Sequence, residues 1–425
     1  EVEIVFMKKT LVLLVSVLFV LGTVGSAFAI HAEIPSETAA VIAKGATQIT
    51  LSGQLRLRAR SNNNFDVNDD ASDQQNYYHN RLRLGTHVKV SDMAEAMIQL
   101  EAETDGGAEN MGWGSNNSHM GGGIGILQGW LLIKGDIAGG AGLKVGHMPL
   151  ALGYKTFFDH TLYGDDAILA YINPTPEAHV AGLIIKFDEG SVSDNTDDLD
   201  GYVLLGTFKL PAGITLGGNW TFINQSDSRM QLHNLEAHAD GKMGMVGFKA
   251  SVDFQFGDIN DTLSAAGYAA YGKVTADLGA AKVRGVLAYG SGDDNNDDDV
   301  DTFQSFLSPV VYTTFVEDYR MGGNTSTGIS MGGRGISNNL YVGGGASADV
   351  SDKISVDGDV WYVALAEDNA SGESDIGFEI DAKATYKVTT NVKAWIHAGY
   401  LVAGDALGDD ADNPWATQGG LIVSW

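Results

Sequence analysis

The sequence predicts an all-β chain: a transmembrane antiparallel up-and-down β-barrel of about 18 strands, with short periplasmic turns and long acidic extracellular loops. Three observations predict it. Segments from Ala46 to Trp425 alternate apolar and polar residues; in Val246 to Phe256 every even position is apolar, and Gly, Lys, Ser, Asp and Gln fill the odd ones. Strand side chains point alternately to opposite faces, so such a segment has one greasy side and one wet side. Connections alternate between tight links, such as Leu210-Pro211-Ala212-Gly213, Ala239-Asp240-Gly241-Lys242 and Val350-Ser351-Asp352-Lys353, and long acidic stretches. Short turns at one end and long loops at the other are the pattern of a barrel that crosses a membrane. Finally, 55 Gly against 7 Pro and no Cys suit strands and tight turns without disulfide staples. A barrel spreads its apolar residues over every second position, and beyond residue 29 no run approaches the ~18 residues of a spanning helix.

From the N-terminus, Met7-Lys8-Lys9-Thr10, the apolar run Leu11 to Leu21 and Ala27-Phe28-Ala29 read as a Sec signal peptide cleaved after Ala29. Residues 1–6 read as an over-extended start ahead of Met7. Residues 30–45 form a leader in which Pro35 to Gly45, with Ser36 as N-cap and Gly45 as stop, reads as a short helix or plain leader. The barrel occupies 46–425. Strands are expected near 46–60, 76–91, 95–105, 124–136, 141–149, 166–172, 177–188, 200–209, 213–223, 228–240, 243–256, 264–277, 280–290, 338–350, 354–366, 375–388, 391–404 and 416–425. Most reach the ~9–11 residues that a tilted membrane strand needs. With a periplasmic N-terminus every second connection should be short, and those near 92–94, 137–140, 173–176, 210–212, 241–242, 278–279, 351–353 and 389–390 are. The count falls to 16 if 166–172 belongs to a loop, and 291–337 is long enough to hold another hairpin.

Alternation assigns the faces. Val246, Phe248, Ala250, Val252, Phe254 and Phe256 should meet lipid, as should Ile376, Phe378, Ile380, Ala382, Ala384 and Tyr386. Glu379, Asp381, Lys383, Thr385 and Lys387 then face the other side. Neither lipid set holds an Arg or Lys, which would cost roughly 2–4 kcal/mol at mid-bilayer. Trp220, Phe222, Phe254, Phe256, Tyr400 and Trp425 gather near strand ends, where rings suit the headgroup boundary.

The formal charge of −28 argues against a nucleic-acid partner. Much of the acid is clustered in expected loops: Asp66, Asp69, Asp70 and Asp73; Asp194, Asp197, Asp198 and Asp200; Asp293 to Asp301; Asp405, Asp409, Asp410 and Asp412. Asp293 to Asp301 lacks the Gly and Glu of an EF-hand, so it reads as a solvated loop that binds divalent cations loosely, through lipopolysaccharide. Gly121 to Gly125 follows no strand-to-helix pattern, and neither a nucleophile elbow nor H-E-x-x-H occurs; no cofactor and no enzyme are expected.

One face carries an unusual charge. In Thr50 to Arg60, Arg56, Arg58 and Arg60 alternate with Leu55, Leu57 and Ala59; the next segment repeats the device with Arg81, Arg83, His87 and Lys89. If Leu meets lipid, these seven basic groups line one patch of the lumen.

The chain stops on Gly420-Leu421-Ile422-Val423-Ser424-Trp425. Together with the export signal, this strand with a terminal aromatic resembles the outer-membrane barrels of Gram-negative bacteria; Phe is the usual last residue there and Trp a less common one. The aromatic-rich connection 150–165, Leu150 to Asp165, resembles the third loop of general diffusion porins, which folds into the barrel and narrows it. The resemblance implies that Asp159, Asp165 and Asp166 face Arg56, Arg58, Arg60, Arg81 and Arg83 across a constriction, where opposed charges set up a transverse field. The alternative is that the arginines pair with strand carboxylates such as Glu101 and Glu103. The resemblance also implies the cell outer membrane, lipid and lipopolysaccharide as surroundings, and a homotrimer. The expected function is passive diffusion of small hydrophilic solutes and ions through a water-filled channel. The alternatives are a sheath for a periplasmic partner (an electron conduit or export component) or an adhesin. Enzyme barrels of this kind usually have ten to twelve strands.

Overall fold

The computed structural model describes residues 40–44, 47–65, 67, 74–103, 124–136, 139–190, 197–294, 299–306, 314–316, 335–408 and 410–425. The signal peptide and most of the leader lie outside the described residues. Eighteen strands follow one another: β1 Thr47–Asn63, β2 Gln75–Ser91, β3 Ala94–Glu103, β4 Gly125–Gly135, β5 Ala141–Met148, β6 Asp165–Thr175, β7 Ala178–Asp188, β8 Leu199–Lys209 and β9 Thr215–Gln225 in the first half. The second half holds β10 Met230–Met243, β11 Val246–Asp258, β12 Tyr268–Asp277, β13 Lys282–Gly290, β14 Asn339–Asp349, β15 Ile354–Leu365, β16 Asp375–Lys387, β17 Val392–Ala403 and β18 Trp415–Ser424. Each pairs antiparallel with the next, and β18 returns to β1 from Gln54↔Ser424 to Asn63↔Trp415, which closes the barrel.

The closure has a built seam. β18 runs out at Trp425, whose N–H donates to the Gly53 carbonyl at 3.0 Å while the Gly53 N–H donates to the Trp425 carbonyl at 2.8 Å. Below that point the edge of β1 is taken by Ala40–Lys44, which pairs antiparallel with Thr47–Leu51. The leader therefore ends in a strand rather than a helix. An open edge in hydrocarbon would leave backbone groups without partners, and pairing outweighs the local helical grammar.

β6 is a strand, so the count is eighteen and not sixteen. Within 291–338 the described residues add only the two-residue strand Asp299–Val300, parallel to Ser264–Ala265. The β10–β11 turn sits at Gly244-Met245, with Gly244 at φ 63°, a few residues beyond the expected Ala239 to Lys242 link.

The outer surface is apolar. Ile98, Ile126, Leu131, Ile184, Leu204, Val252, Phe254, Phe378, Ile380 and Ile396 are exposed on it. Near the loop end, Tyr202, Phe222, His233 and Phe256 stack side by side on β8 to β11, with ring centres 4.5–6.0 Å apart. From Phe256 down to Phe248 is about 26 Å along the strand at ~3.3 Å per residue, hence about 20 Å along the normal at ~40° tilt. That approaches the ~25 Å apolar band of a membrane barrel. One face assignment is corrected: Ile376 is fully buried inside. Val363 pairs with Gly377 but Ala364 with Asp375, so Ile376 sits in a bulge beside Gly377 (φ 133°), which turns its side chain inward.

The interior is not lined by polar groups alone. Met148, Leu150, Leu152, Phe157, Phe158, Ile185, Ile223, Leu232, Phe303, Phe306, Tyr341, Trp361, Val363 and Ile376 form one buried cluster. Two long connections supply its centre and inward residues of the strands its rim. Burying each such side chain contributes roughly 1.5–3 kcal/mol, and this filling holds the loops within the barrel.

Candidate functional site: the lumen wall and its inward loops

Pairing across β18, β1 and β2 sets the basic residues in rungs: Gln418, Arg60 and Tyr77; then Gly420, Arg58 and His79; then Ile422, Arg56 and Arg81; then Ser424, Gln54 and Arg83. Further down, His87 lies opposite Thr50 and Lys89 opposite Gln48. The twelve steps from Tyr77 to Lys89 make a column about 40 Å long along the strand at ~3.3 Å per residue. Arg58, Arg60 and Arg81 are buried on the inner face, while Leu51 and Ala59 of the opposite parity are exposed outside.

Each rung has defined partners. Arg60 donates from Nε to Gln418 Oε1 and from Nη1 to the Tyr77 hydroxyl, both at 3.0 Å. Arg58 Nη2 lies 2.6 Å from His79 Nδ1. A guanidinium only donates, so the imidazole nitrogen facing it accepts. Arg81 donates to Gln54 Oε1 at 2.8 Å. Arg83 pairs with Glu101, His87 lies 3.3 Å from Glu95, and Lys89 meets Asp92 at 2.7 Å at the turn. Lys89 also holds the Asp92 carboxyl below its usual range. The alternative reading of Arg83 and Glu101 as a strand pair is thus what the geometry gives; the side chain of Glu103 lies outside the described residues.

The connection between β5 and β6 contacts the inner faces of β10 to β12. The Tyr154 hydroxyl donates to Asp240 at 2.9 Å, Thr156 Oγ1 lies 3.1 Å from Ser251 Oγ, and Lys249 Nζ sits 5.0 Å from the Tyr154 ring centre. Asp240, Lys249 and Ser251 all carry the parity opposite to the exposed Leu235, Val252 and Phe254. Burial, with Asp240 beside it, pushes the Tyr154 phenol above its ordinary range.

The three acids of this connection are not brought to the arginines. Asp159 is held by Lys155 Nζ at 2.8 Å and the Thr161 hydroxyl at 2.7 Å. Asp165 is 2.6 Å from His160 Nδ1. Asp166 shares the outward face of β6 with Ile168 and is 3.0 Å from His147. The step from Asp165 to Asp166 crosses the sheet, so one of two adjacent acids had to point away from the lumen.

A second inward element was not expected. Gln304 of the β13–β14 connection receives a hydrogen bond from Gln255 at 2.9 Å on its carbonyl and donates its N–H to Gln255 Oε1 at 2.7 Å. Phe306 stacks on Phe157 and Phe158 at 6.0 Å each, so the two connections meet. Further along, Phe315 and Val316 are buried against Leu401 and Ala416. Phe303, Phe306, Phe315 and Val316 in an otherwise Gly- and Asp-rich stretch were the available signal, because solvated loops rarely carry so many large apolar residues. A second charge cluster, on β13 and β15, joins Arg284 to Asp357 (2.5 Å) and Asp359 (2.9 Å) across the side-chain-free Gly345 of β14.

No family model and no curated protein matches the chain. Solved structures do. Acinetobacter baumannii OccAB3 matches with a TM-score of 0.60 and 10% identity over 89% of this chain and 99% of that one. Pseudomonas aeruginosa OccK9 (OpdG) matches with a TM-score of 0.58 and 12% identity over 88% and 98%. The fold is that of an outer-membrane porin. P. aeruginosa OpdK, solved with vanillate, has the same porin barrel, with a TM-score of 0.57 and 12% identity over 88% and 99%. At such identities the likeness concerns the barrel fold and its near-complete coverage end to end, and the residues of the lumen are this chain's own.

Proposed function

We propose that the chain is a porin of the Gram-negative outer membrane, an open channel for passive diffusion of small hydrophilic solutes, and that its basic wall favours small anions. The observation that carries the reading is a closed eighteen-strand barrel that is apolar outside, with a column of basic side chains inside that runs about 40 Å (about twelve steps at ~3.3 Å each). A column of fixed positive groups next to low-dielectric wall raises the local concentration of anions. Among the described residues the β5–β6 connection narrows the bore from the β10–β12 side and the β13–β14 connection extends that block, and the path of this reading runs along the arginines. OpdK was solved with vanillate, a small aromatic acid of the kind such a path would admit.

The signal peptide, a homotrimer and divalent cations shared with lipopolysaccharide at the acidic loops belong to the same proposal; they rest on the sequence and on the resemblance to porins. Liposome swelling tests it. Liposomes holding the purified protein should admit small sugars and, faster, small carboxylic acids, with rates falling steeply as solute size grows. Rates equal to those of protein-free liposomes would overturn the channel reading and favour a barrel sheathing a periplasmic partner.

A further inference from the structure

The β13–β14 connection enters the barrel at Thr302–Phe306 and again at Thr314–Val316, and the second entry has its own receptor. Glu379 of β16, fully buried on the inner face, accepts on one oxygen, Oε1, the backbone N–H of Phe315 at 2.5 Å and of Val316 at 2.6 Å. The Phe315 ring stacks on His397 of β17, with centres 3.7 Å apart and planes at 29°. Leu401 and Ala416, with partly buried Phe65, Val67 and Leu407, complete the pocket. The wall is cut away here: a Cβ on Gly399 would meet Asp381 Oδ1 of the neighbouring strand first and would also lie 2.9 Å from both the Phe315 ring and a Val316 methyl. Ala416 lies two residues from Gln418, which bonds Arg60, so the entry sits beside the arginine column.

The lone pairs of one carboxyl oxygen, Glu379 Oε1, take both converging N–H donors, and this holds whether or not the other oxygen carries a proton. Backbone N–H groups have no such acceptor in an apolar pocket unless a side chain supplies it. We propose that Glu379 is a positioning residue that fixes the β13–β14 connection across the upper lumen and thereby sets the width of the path along the arginines. The effect on width rests on the channel reading; the anchoring does not.

The test pairs Glu379→Ala, which removes the acceptor from the wall, with Phe315→Ala, which removes the ring from the connection and leaves the wall intact. Heat-modifiable gel mobility reports whether each barrel folds. Amide hydrogen exchange over 314–316 should be slow in the parent and roughly tenfold or more faster in each folded variant, the scale expected from losing two hydrogen bonds. In planar bilayers the variants should show larger or noisier open currents than the parent. Unchanged exchange in folded Glu379→Ala would overturn the anchoring, and if that variant does not fold, unchanged exchange in Phe315→Ala would do so. Faster exchange with parent-like currents would overturn the role in setting width. A parent without currents would sink the channel reading, while the exchange data would still decide the anchoring.

Discussion

Replacing Arg56, Arg58 and Arg81 together by Ser removes the middle two rungs of the basic column, and its effect can be worked from the geometry. These groups lie on adjacent strands, Arg56 directly opposite Arg81, so an ion passing along the wall meets all three nearly at once. At about 6 Å and a water-like dielectric, one charge contributes ~0.7 kcal/mol. Screening with a Debye length of ~10 Å at 0.1 M salt reduces this to ~0.4 kcal/mol. Three charges then contribute about 1.1 kcal/mol, or roughly sevenfold in local anion concentration. At 1 M salt, with a Debye length of ~3 Å, the same sum falls to about 0.3 kcal/mol and less than twofold. The assay is the reversal potential across a bilayer under KCl gradients centred near 0.1 M and near 1 M. The triple variant should lose anion preference strongly at low salt and little at high salt, with a larger conductance because three long side chains leave the bore. An unchanged reversal potential at low salt, in a protein with normal heat-modifiable mobility, would refute the placement of these arginines along the ion path.

Three further outcomes follow from the packing. Arg284→Met strands Asp357 and Asp359 without their shared cation and should lower stability by about 3 kcal/mol; in refolding titrations the triple change with Asp357→Asn and Asp359→Asn should recover most of it. Val252→Lys puts an ammonium on the exposed face between Ala237 and Ala270 and should cost roughly 2–4 kcal/mol in bilayer refolding, whereas Thr275→Lys on the inner face should cost under ~1 kcal/mol. Gly146→Ala should destabilise the folded barrel by at least ~2 kcal/mol, since φ is 125° there and a Cβ would lie 2.2 Å from the Gly129 carbonyl oxygen; an unchanged unfolding midpoint would contradict the backbone path of β5.

The strands were legible in the sequence because period-two alternation is imposed by lipid on one side and polar groups on the other. It faded where the inner side is apolar too. In β6, Leu169 and Tyr171 pack against the interior cluster while Ile168 is exposed outside, so the segment reads as a plain apolar run. Ile376 was misplaced because a bulge breaks the parity that alternation relies on. The basic column was legible for the same reason as the strands, since its residues recur at every second position. Its partners were not. Whether an arginine meets a glutamine, a histidine or a loop acid depends on register, which no local pattern specifies. Asp159 and Asp165 found Lys155 and His160 close by in sequence, and those pairs formed in place of contacts across the lumen. The role of 302–306 and 314–316 depends on Gln255, Glu379 and Gly399, far away in the chain, and only their unusual apolar content hinted at burial.

The most direct test of the central claim is single-channel recording of the purified protein in a planar bilayer under a KCl gradient. The account predicts long-lived steps that scale with salt and a reversal potential of the sign given by anion preference. A silent bilayer from protein whose barrel is shown by heat-modifiable mobility, or a firm cation preference at low salt, would contradict it.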